Sequence, residues 1–160
     1  MEKILYVIPG LEETTRRRPY QSLRKIAEKK GYEVVFKNVD WNLPLSPQVF
    51  SIPKNSVIFG FSLGAVLAWL VAQDYECKHI ILASMTPSYS WKDKKIKKAL
   101  TEIVGLKFVN DVIKNLTLKH KAEAQTTMYG DLEEESADIL VRNTEHELSE
   151  KYIKEIAKLL

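Results

Sequence analysis

The chain has 160 residues, 45% of them hydrophobic and 28% charged, and its 24 Lys and Arg against 21 Asp and Glu leave a net charge of +3. One domain over residues 1–160 can build a core at this length without staples, and so mild a charge calls for no nucleic acid and no membrane as partner. The single cysteine, Cys77, excludes an internal disulfide; with no apolar stretch of transmembrane length and no signal-peptide pattern, the expectation is a cytoplasmic protein.

Strand and helix signals alternate from the start. Lys3–Ile8 is an apolar strand closed by Pro9-Gly10. Residues 19–30 read as a helix with Pro19 at its first position, Tyr20, Leu23, Ile26 and Ala27 at helical spacing, and Gly31 as its stop. Residues 33–37 form a second strand and 57–59 a third. Residues 63–75 are apolar almost all round, the mark of a buried helix. A fourth strand, 78–83, centres on Ile80, Ile81 and Leu82. One or two helices occupy 91–118, and strands follow at 126–129 and 139–141. Ile153, Ile156 and Leu160 then form the stripe of a closing helix, with Ser149 as its N-cap. No repeat or polar linker interrupts the series. Such alternation predicts an α/β chain: a three-layer α/β/α sandwich around a mostly parallel six-stranded sheet.

Gly60-Phe61-Ser62-Leu63-Gly64 lies where the third strand meets the buried helix. A serine there, with Gly two places away on each side, is the pattern of a nucleophile elbow. Side chains at the Gly positions would collide with neighbouring backbone, and the sharp turn leaves the serine hydroxyl exposed at the sheet end. No Lys-Ser or Lys-Thr follows Gly64, so the stretch is not a phosphate-binding loop, and its spacing fails the dinucleotide pattern.

Ligands of an open parallel sheet bind beyond the carboxyl ends of its strands, where strand order reverses. A serine there needs a base, a group to orient that base, and donors for an oxyanion. His146 follows the last strand and precedes the closing helix, the place for such a base. His79 opens a strand and His120 lies in a loop, so both are read as structural. The run Asp131, Glu133, Glu134, Glu135 ends the strand before the last; one member would orient the imidazole while the others form a solvated turn. The backbone amide of Leu11 or Glu12, after Pro9-Gly10, would face that of Leu63 as an oxyanion pair. Losing one such donor typically costs about 2.7–4 kcal/mol of transition-state stabilisation.

Together these residues resemble the α/β-hydrolase superfamily over nearly the whole chain: an opening strand ending in Pro-Gly, the Gly60–Gly64 elbow, an acid loop at Gly130, and His146 before a terminal helix. The order serine, acid, histidine is also that of the family. The resemblance implies a cofactor-free serine hydrolase cleaving a small carboxylic ester or thioester through an acyl-enzyme. Ser62 would be its nucleophile, His146 its base, and the Leu63 and Leu11 amides its oxyanion hole. The family's usual Gly-x-x-Asp spacing places the acid at Glu133, with Asp131, two positions earlier, kept as the alternative. Three departures mark a minimal member. The leading antiparallel strands have no counterpart, the cap insertion is confined to residues 88–121, and the helix before the last strand shrinks to residues 134–136. The shortened acid loop also leaves room for a second reading, a catalytically impaired binding or interaction module on the same fold.

Arg16-Arg17-Arg18 would be either a solvated lead-in to the first helix or a contact for an anionic substrate. The lysines of residues 92–98 would face solvent while Ile96 and Leu100 turn inward. Trp41, Tyr89 and Trp91 lie near strand ends, either as packing or as walls of an acyl pocket. Glu145-His146-Glu147 has no second histidine or cysteine at ligand spacing, so no metal is expected.

Overall fold

Six strands set the frame of the computed structural model, which describes residues 2–87 and 89–160: β1 (Lys3–Ile8), β2 (Tyr32–Phe36), β3 (Val57–Phe61), β4 (Cys77–Ala83), β5 (Ala122–Gly130) and β6 (Ile139–Val141). They lie in the order β2-β1-β3-β4-β5-β6, and every pairing is parallel, so the sheet is wholly rather than mostly parallel. The chain steps from β1 outward to β2, then returns to place β3 on the other side of β1. Strand order therefore reverses between β1 and β3, and a crevice opens at their carboxyl ends.

Alternation along the strands sends side chains to two separate apolar layers. Tyr6, Ile8, Ile58, Ile80 and Leu82 face one side, where they join α2 (Leu63–Asp74) and residues of α3 (Lys94–Val104) and α4 (Leu106–Asn115). Leu5, Val7, Phe59, Phe61 and Ile81 face the other, against α1 (Arg18–Lys29) and α5 (Glu150–Leu159). The first layer explains the all-round apolar character of α2. All ten residues from Leu63 to Ala72 are buried, and the end of α4 is fastened to α2 by bonds from Trp69 Nε1 to Thr117 O (2.9 Å) and from Gln73 Nε2 to Asn115 O (3.0 Å).

The stretch expected to hold one or two helices holds two. Asp93 caps α3 by accepting from the amides of Lys95 and Ile96, at 3.0 and 3.1 Å. Gly105, at φ 87°, separates α3 from α4 in a conformation that disfavours other residues. Leu100 is buried and the lysines of α3 are mostly exposed, as its spacing predicts. Ser88, where the expected insertion begins, lies outside the described residues. β5 starts at Ala122, four residues before its expected start at Thr126. Ala122–Gln125 has little intrinsic strand preference, and its ladder with β4, from Cys77↔Ala122 onward, supplies what local sequence does not. Ser149 occupies the N-cap position of α5 but makes no capping bond, and its buried hydroxyl has no partner. Among the described residues no helix is long and apolar enough to cross a membrane.

A close backbone approach brings α2 against the end of β1. A Cβ added to Gly64 would lie 2.4 Å from Pro9 O and 2.6 Å from Ile8 O. Neither carbonyl is the end of a flexible side chain, so Gly64→Ala must push the helix off the sheet. The expected result is a loss of about 2–3 kcal/mol of stability in urea unfolding; an unchanged midpoint would contradict this contact.

Candidate active site

Ser62 stands between β3 and α2 with φ 55° and ψ −128°, a conformation costing about 1–3 kcal/mol for a residue with a Cβ. Its surroundings impose it. The Ser62 amide donates to Ala83 O at 2.8 Å, its carbonyl accepts from Ala65 N at 2.9 Å, and Gly60 opposite leaves no space for a side chain. A Cβ on Gly60 would lie 2.5 Å from Gly64 O and 2.6 Å from Ala65 Cα. The hydroxyl consequently points outward, towards the loop between β6 and α5.

That loop brings His146 Nε2 to 2.9 Å from Ser62 Oγ. The imidazole lies 5.4 Å from the Phe61 ring, centroid to centroid, and its Nδ1 is 2.7 Å from Glu133 Oε1. A carboxylate can only accept, so Nδ1 carries the hydrogen of that contact, and Nε2 is left to accept from the serine hydroxyl. The histidine side chain is 51% accessible while that of Glu133 is only 9% accessible. The imidazole is therefore open to solvent, and the carboxylate against its Nδ1 is enclosed.

Glu133 ends the 3-10 turn Asp131–Glu133, which folds its side chain back over the end of β5. Oε2 accepts from Gly130 N at 2.7 Å and from Ser84 Oγ at 2.8 Å, and Tyr152 Oη lies 3.1 Å from it. Burial pushes this carboxyl upward, but hydrogen bonds from His146, Ser84 and Gly130 outweigh burial and hold it below the ordinary glutamate value. Asp131, the alternative acid, turns elsewhere: its Oδ1 accepts from Thr144 N at 3.2 Å. It fastens the two loops together alongside the bond from Leu132 N to Thr144 O at 3.1 Å. Gly130 permits that closeness, since a Cβ there would lie 2.1 Å from Thr144 O.

Across the crevice, Glu13 N donates to Gly10 O at 3.1 Å and closes a turn in which Glu12 adopts φ 55°. The amides of Leu11 and Glu12 take no part in that closing bond. Tyr20, buried at the start of α1, receives a bond from Gly10 N at 3.3 Å and donates to Glu13. Burial, followed by Glu13, raises the Tyr20 phenol, which keeps it a donor. Leu63 occupies the first position of α2, where an amide has no acceptor within the helix.

Two clefts meet at His146. One, of about 310 Å³, is lined mainly by apolar side chains, among them Leu11, Leu63, Met85, Leu100 and Ile103. The other, of about 530 Å³, is bordered by Tyr89, Tyr129, Glu135, Glu145 and Glu147. The remaining aromatic candidates pack instead: Trp41 lies against Phe108 at 6.3 Å, and Trp91 is buried. His79 bonds Thr126 Oγ1 at 2.9 Å and His120 bonds Gln125 Oε1 at 2.9 Å, both structural contacts. Arg17 pairs with Glu13 at 2.7 Å and Arg18 with Glu150 at 3.7 Å. Among the described residues no group of three or more His, Cys, Asp and Glu could hold a metal ion.

Two contributors escaped the sequence reading, Ser84 and Tyr152. Their signals are faint but physical. Ser84 is the first polar residue after the apolar run of β4, and Tyr152 is a polar-tipped residue within the apolar stripe of α5.

Solved structures of distant sequence share this arrangement of strands and helices. A protein from Agrobacterium vitis S4 superposes with a TM-score of 0.74 at 11% identity, covering 99% of this chain and 86% of that one. Alpha/beta hydrolase domain-containing protein 10 from mouse gives 0.68 at 9% identity, over 98% and 87%. MGS-MChE2, an alpha/beta hydrolase enzyme from the metagenome of lagoon sediments at Mar Chica, Morocco, gives 0.63 at 12% identity, over 99% and 89%. The chain has the α/β-hydrolase fold. No protein-family model matches its sequence, and no curated protein matches it either. This version of the α/β-hydrolase fold passes from β5 to β6 through the short 3-10 turn alone, without an α-helix.

The depressed acidity of Glu133 has a consequence for stability. A carboxyl whose folded value lies below its unfolded value contributes stability in full above the unfolded value, and loses it as pH falls through the folded one. The urea-unfolding advantage of wild type over Glu133→Gln is expected to be largest near pH 7 and to narrow below the ordinary value of 4.5. A gap that widens on acidification would contradict the bonding described for Oε2.

Proposed function

We propose that this chain is a serine hydrolase cleaving carboxylic esters or thioesters, with Ser62 as nucleophile, His146 as general base and Glu133 as the acid that orients it. The observation that carries this reading is the continuous chain Ser62 Oγ–His146 Nε2–Glu133 Oε1, at 2.9 and 2.7 Å, set on a strained turn. In the acylation step Ser62 Oγ attacks the carbonyl carbon and its proton passes to Nε2. Glu133 holds the ring in the required tautomer and stabilises the imidazolium. The oxyanion is received by the amides of Leu63 and Leu11. Collapse expels the alcohol or thiol with the proton from Nε2, and water then releases the acyl group by the reverse proton path. The half-exposed imidazole gives that water a direct approach.

The apolar cleft beside Ser62 suits the acyl chain, and the larger cleft suits the leaving group. Arg17 pairs with Glu13, and Glu135, Glu145 and Glu147 border the leaving-group side. Both observations weigh against a polyanionic leaving group. The binding-module alternative supposed an acid loop too short to reach the imidazole, and the 2.7 Å contact weighs against it.

Fluorophosphonate labelling and hydrolysis of p-nitrophenyl butyrate test the reading. Ser62→Ala should abolish labelling with the fold intact by circular dichroism, and His146→Ala should lower kcat by about 10³-fold or more. Asp131→Asn should keep kcat close to wild type, whereas Glu133→Gln should not. Folded wild-type protein that neither labels nor hydrolyses the ester would overturn the proposal.

A further inference from the structure

We infer that Ser84 and Tyr152 form a redundant two-hydroxyl clamp that positions Glu133 for His146, an inference that rests on the function proposed above. The side chains come from segments 68 residues apart, Ser84 just after β4 and Tyr152 in α5, and both are buried, at 2% and 0% exposure. Their oxygens lie 2.5 Å apart, and each also reaches Glu133 Oε2, at 2.8 Å from Ser84 Oγ and 3.1 Å from Tyr152 Oη. Three contacts therefore share two hydroxyl protons.

The distances assign those protons. Two oxygens at 2.5 Å need a hydrogen between them. With two protons for three contacts, one hydroxyl oxygen must face the carboxylate without a hydrogen, and the longer contact, 3.1 Å from Tyr152, accommodates this better than the 2.8 Å from Ser84. The consistent arrangement is Tyr152 Oη donating to Ser84 Oγ, and Ser84 Oγ donating to Glu133 Oε2. Burial keeps the Tyr152 phenol protonated, its acidity pushed far to the alkaline side. With Gly130 N also on Oε2, that oxygen is fully engaged, and Oε1 is the one presented to the imidazole.

The backbone supports the same role. Ser84 holds φ 56°, a left-handed conformation unfavourable for serine, and its amide is pinned to Met128 O at 2.7 Å. The conformation aims the hydroxyl at Glu133. The arrangement is redundant because loss of one partner leaves the other able to donate. Without Tyr152 the serine proton stays on Oε2; without Ser84 the tyrosine proton can turn to Oε2 across 3.1 Å. Losing both leaves only Gly130 N, and the carboxylate is free to swing away from Nδ1.

The test compares Ser84→Ala, Tyr152→Phe and the double variant, in wild-type and Glu133→Gln backgrounds, with p-nitrophenyl butyrate turnover and the rate of fluorophosphonate labelling as readouts. Each single variant is expected to lose only about 3-fold in kcat, and the double about 100-fold, with KM nearly unchanged, the scale of loss for a misplaced catalytic group. In the Glu133→Gln background the double variant should slow labelling no further. Ser84→Gly, whose backbone suits φ 56°, replaces Ser84→Ala if that variant melts early. Either a folded double variant with kcat within about 3-fold of wild type or an equally large loss in the Glu133→Gln background would overturn the clamp. Failure of the function proposed above would read differently, as activity that survives Ser62→Ala.

Discussion

Gly60 and Gly64 set how near α2 can come to the sheet, and the geometry of the site is measured from that approach. With no side chain at either position, the helix start lies against the carbonyls of Ile8 and Pro9 and the backbone at Gly60 lies against Gly64 and Ala65. The chain must then reverse within one residue, and Ser62 takes the positive φ that this requires. Two functional results follow from one steric fact. The hydroxyl is lifted clear of the sheet, and the Leu63 amide at the helix start is brought to the side of the crevice where the Gly10–Glu13 turn lies. The apolar burial of α2 holds the approach in place, since its ten consecutive buried residues lose contact if the helix withdraws.

Strain gathers along one edge of the sheet. The non-glycine residues with positive φ among those described are Glu12, Ser62, Ser84, Glu134 and Asn143. Each follows the carboxyl end of a different strand, in turn β1, β3, β4, β5 and β6. β2, at the far side of the order reversal, has none. Sharp turns at these strand ends keep the loops short and directed at one another, whereas relaxed turns would carry them outwards. A conformation costing about 1–3 kcal/mol per residue persists only where the surroundings over-determine it. Bonds such as Ser62 N to Ala83 O and Ser84 N to Met128 O supply that constraint.

The parts of the fold legible in the sequence were those with strong local periodicity or steric punctuation. Strands β1, β3 and β4 are continuous apolar runs, α2 is apolar all round, and the elbow glycines have a spacing that few other structures need. The meeting of Ser62 with His146 was legible because topology fixes which strand ends converge. The start of β5 was not, because Ala122–Gln125 pairs with β4 through backbone bonds that side chains do not announce. The capping of α5 failed for a related reason: Ser149 stands in the right place, but its hydroxyl is buried away from the helix amides. Ser84 and Tyr152 left only faint signals, since they come together only where three remote segments meet.

Glutamate rather than aspartate at position 133 follows from how this chain joins its last two strands. β6 pairs with β5 only along Met128–Gly130, and the connection between them carries a 3-10 turn and no α-helix. The carboxylate must come from a 3-10 turn that curls back over the strand end, placing the residue beside its own Gly130 amide. An aspartate there would be one methylene shorter, about 1.5 Å of reach. A carboxylate held to Gly130 N by one oxygen would then fall short of Nδ1 with the other. The longer side chain spans both contacts but adds a rotatable bond, and a freely turning carboxylate would orient the imidazole only part of the time. The enclosed hydroxyls of Ser84 and Tyr152 lie where they limit that freedom, so the length of the acid and the polar pair behind it form one solution to a shortened loop.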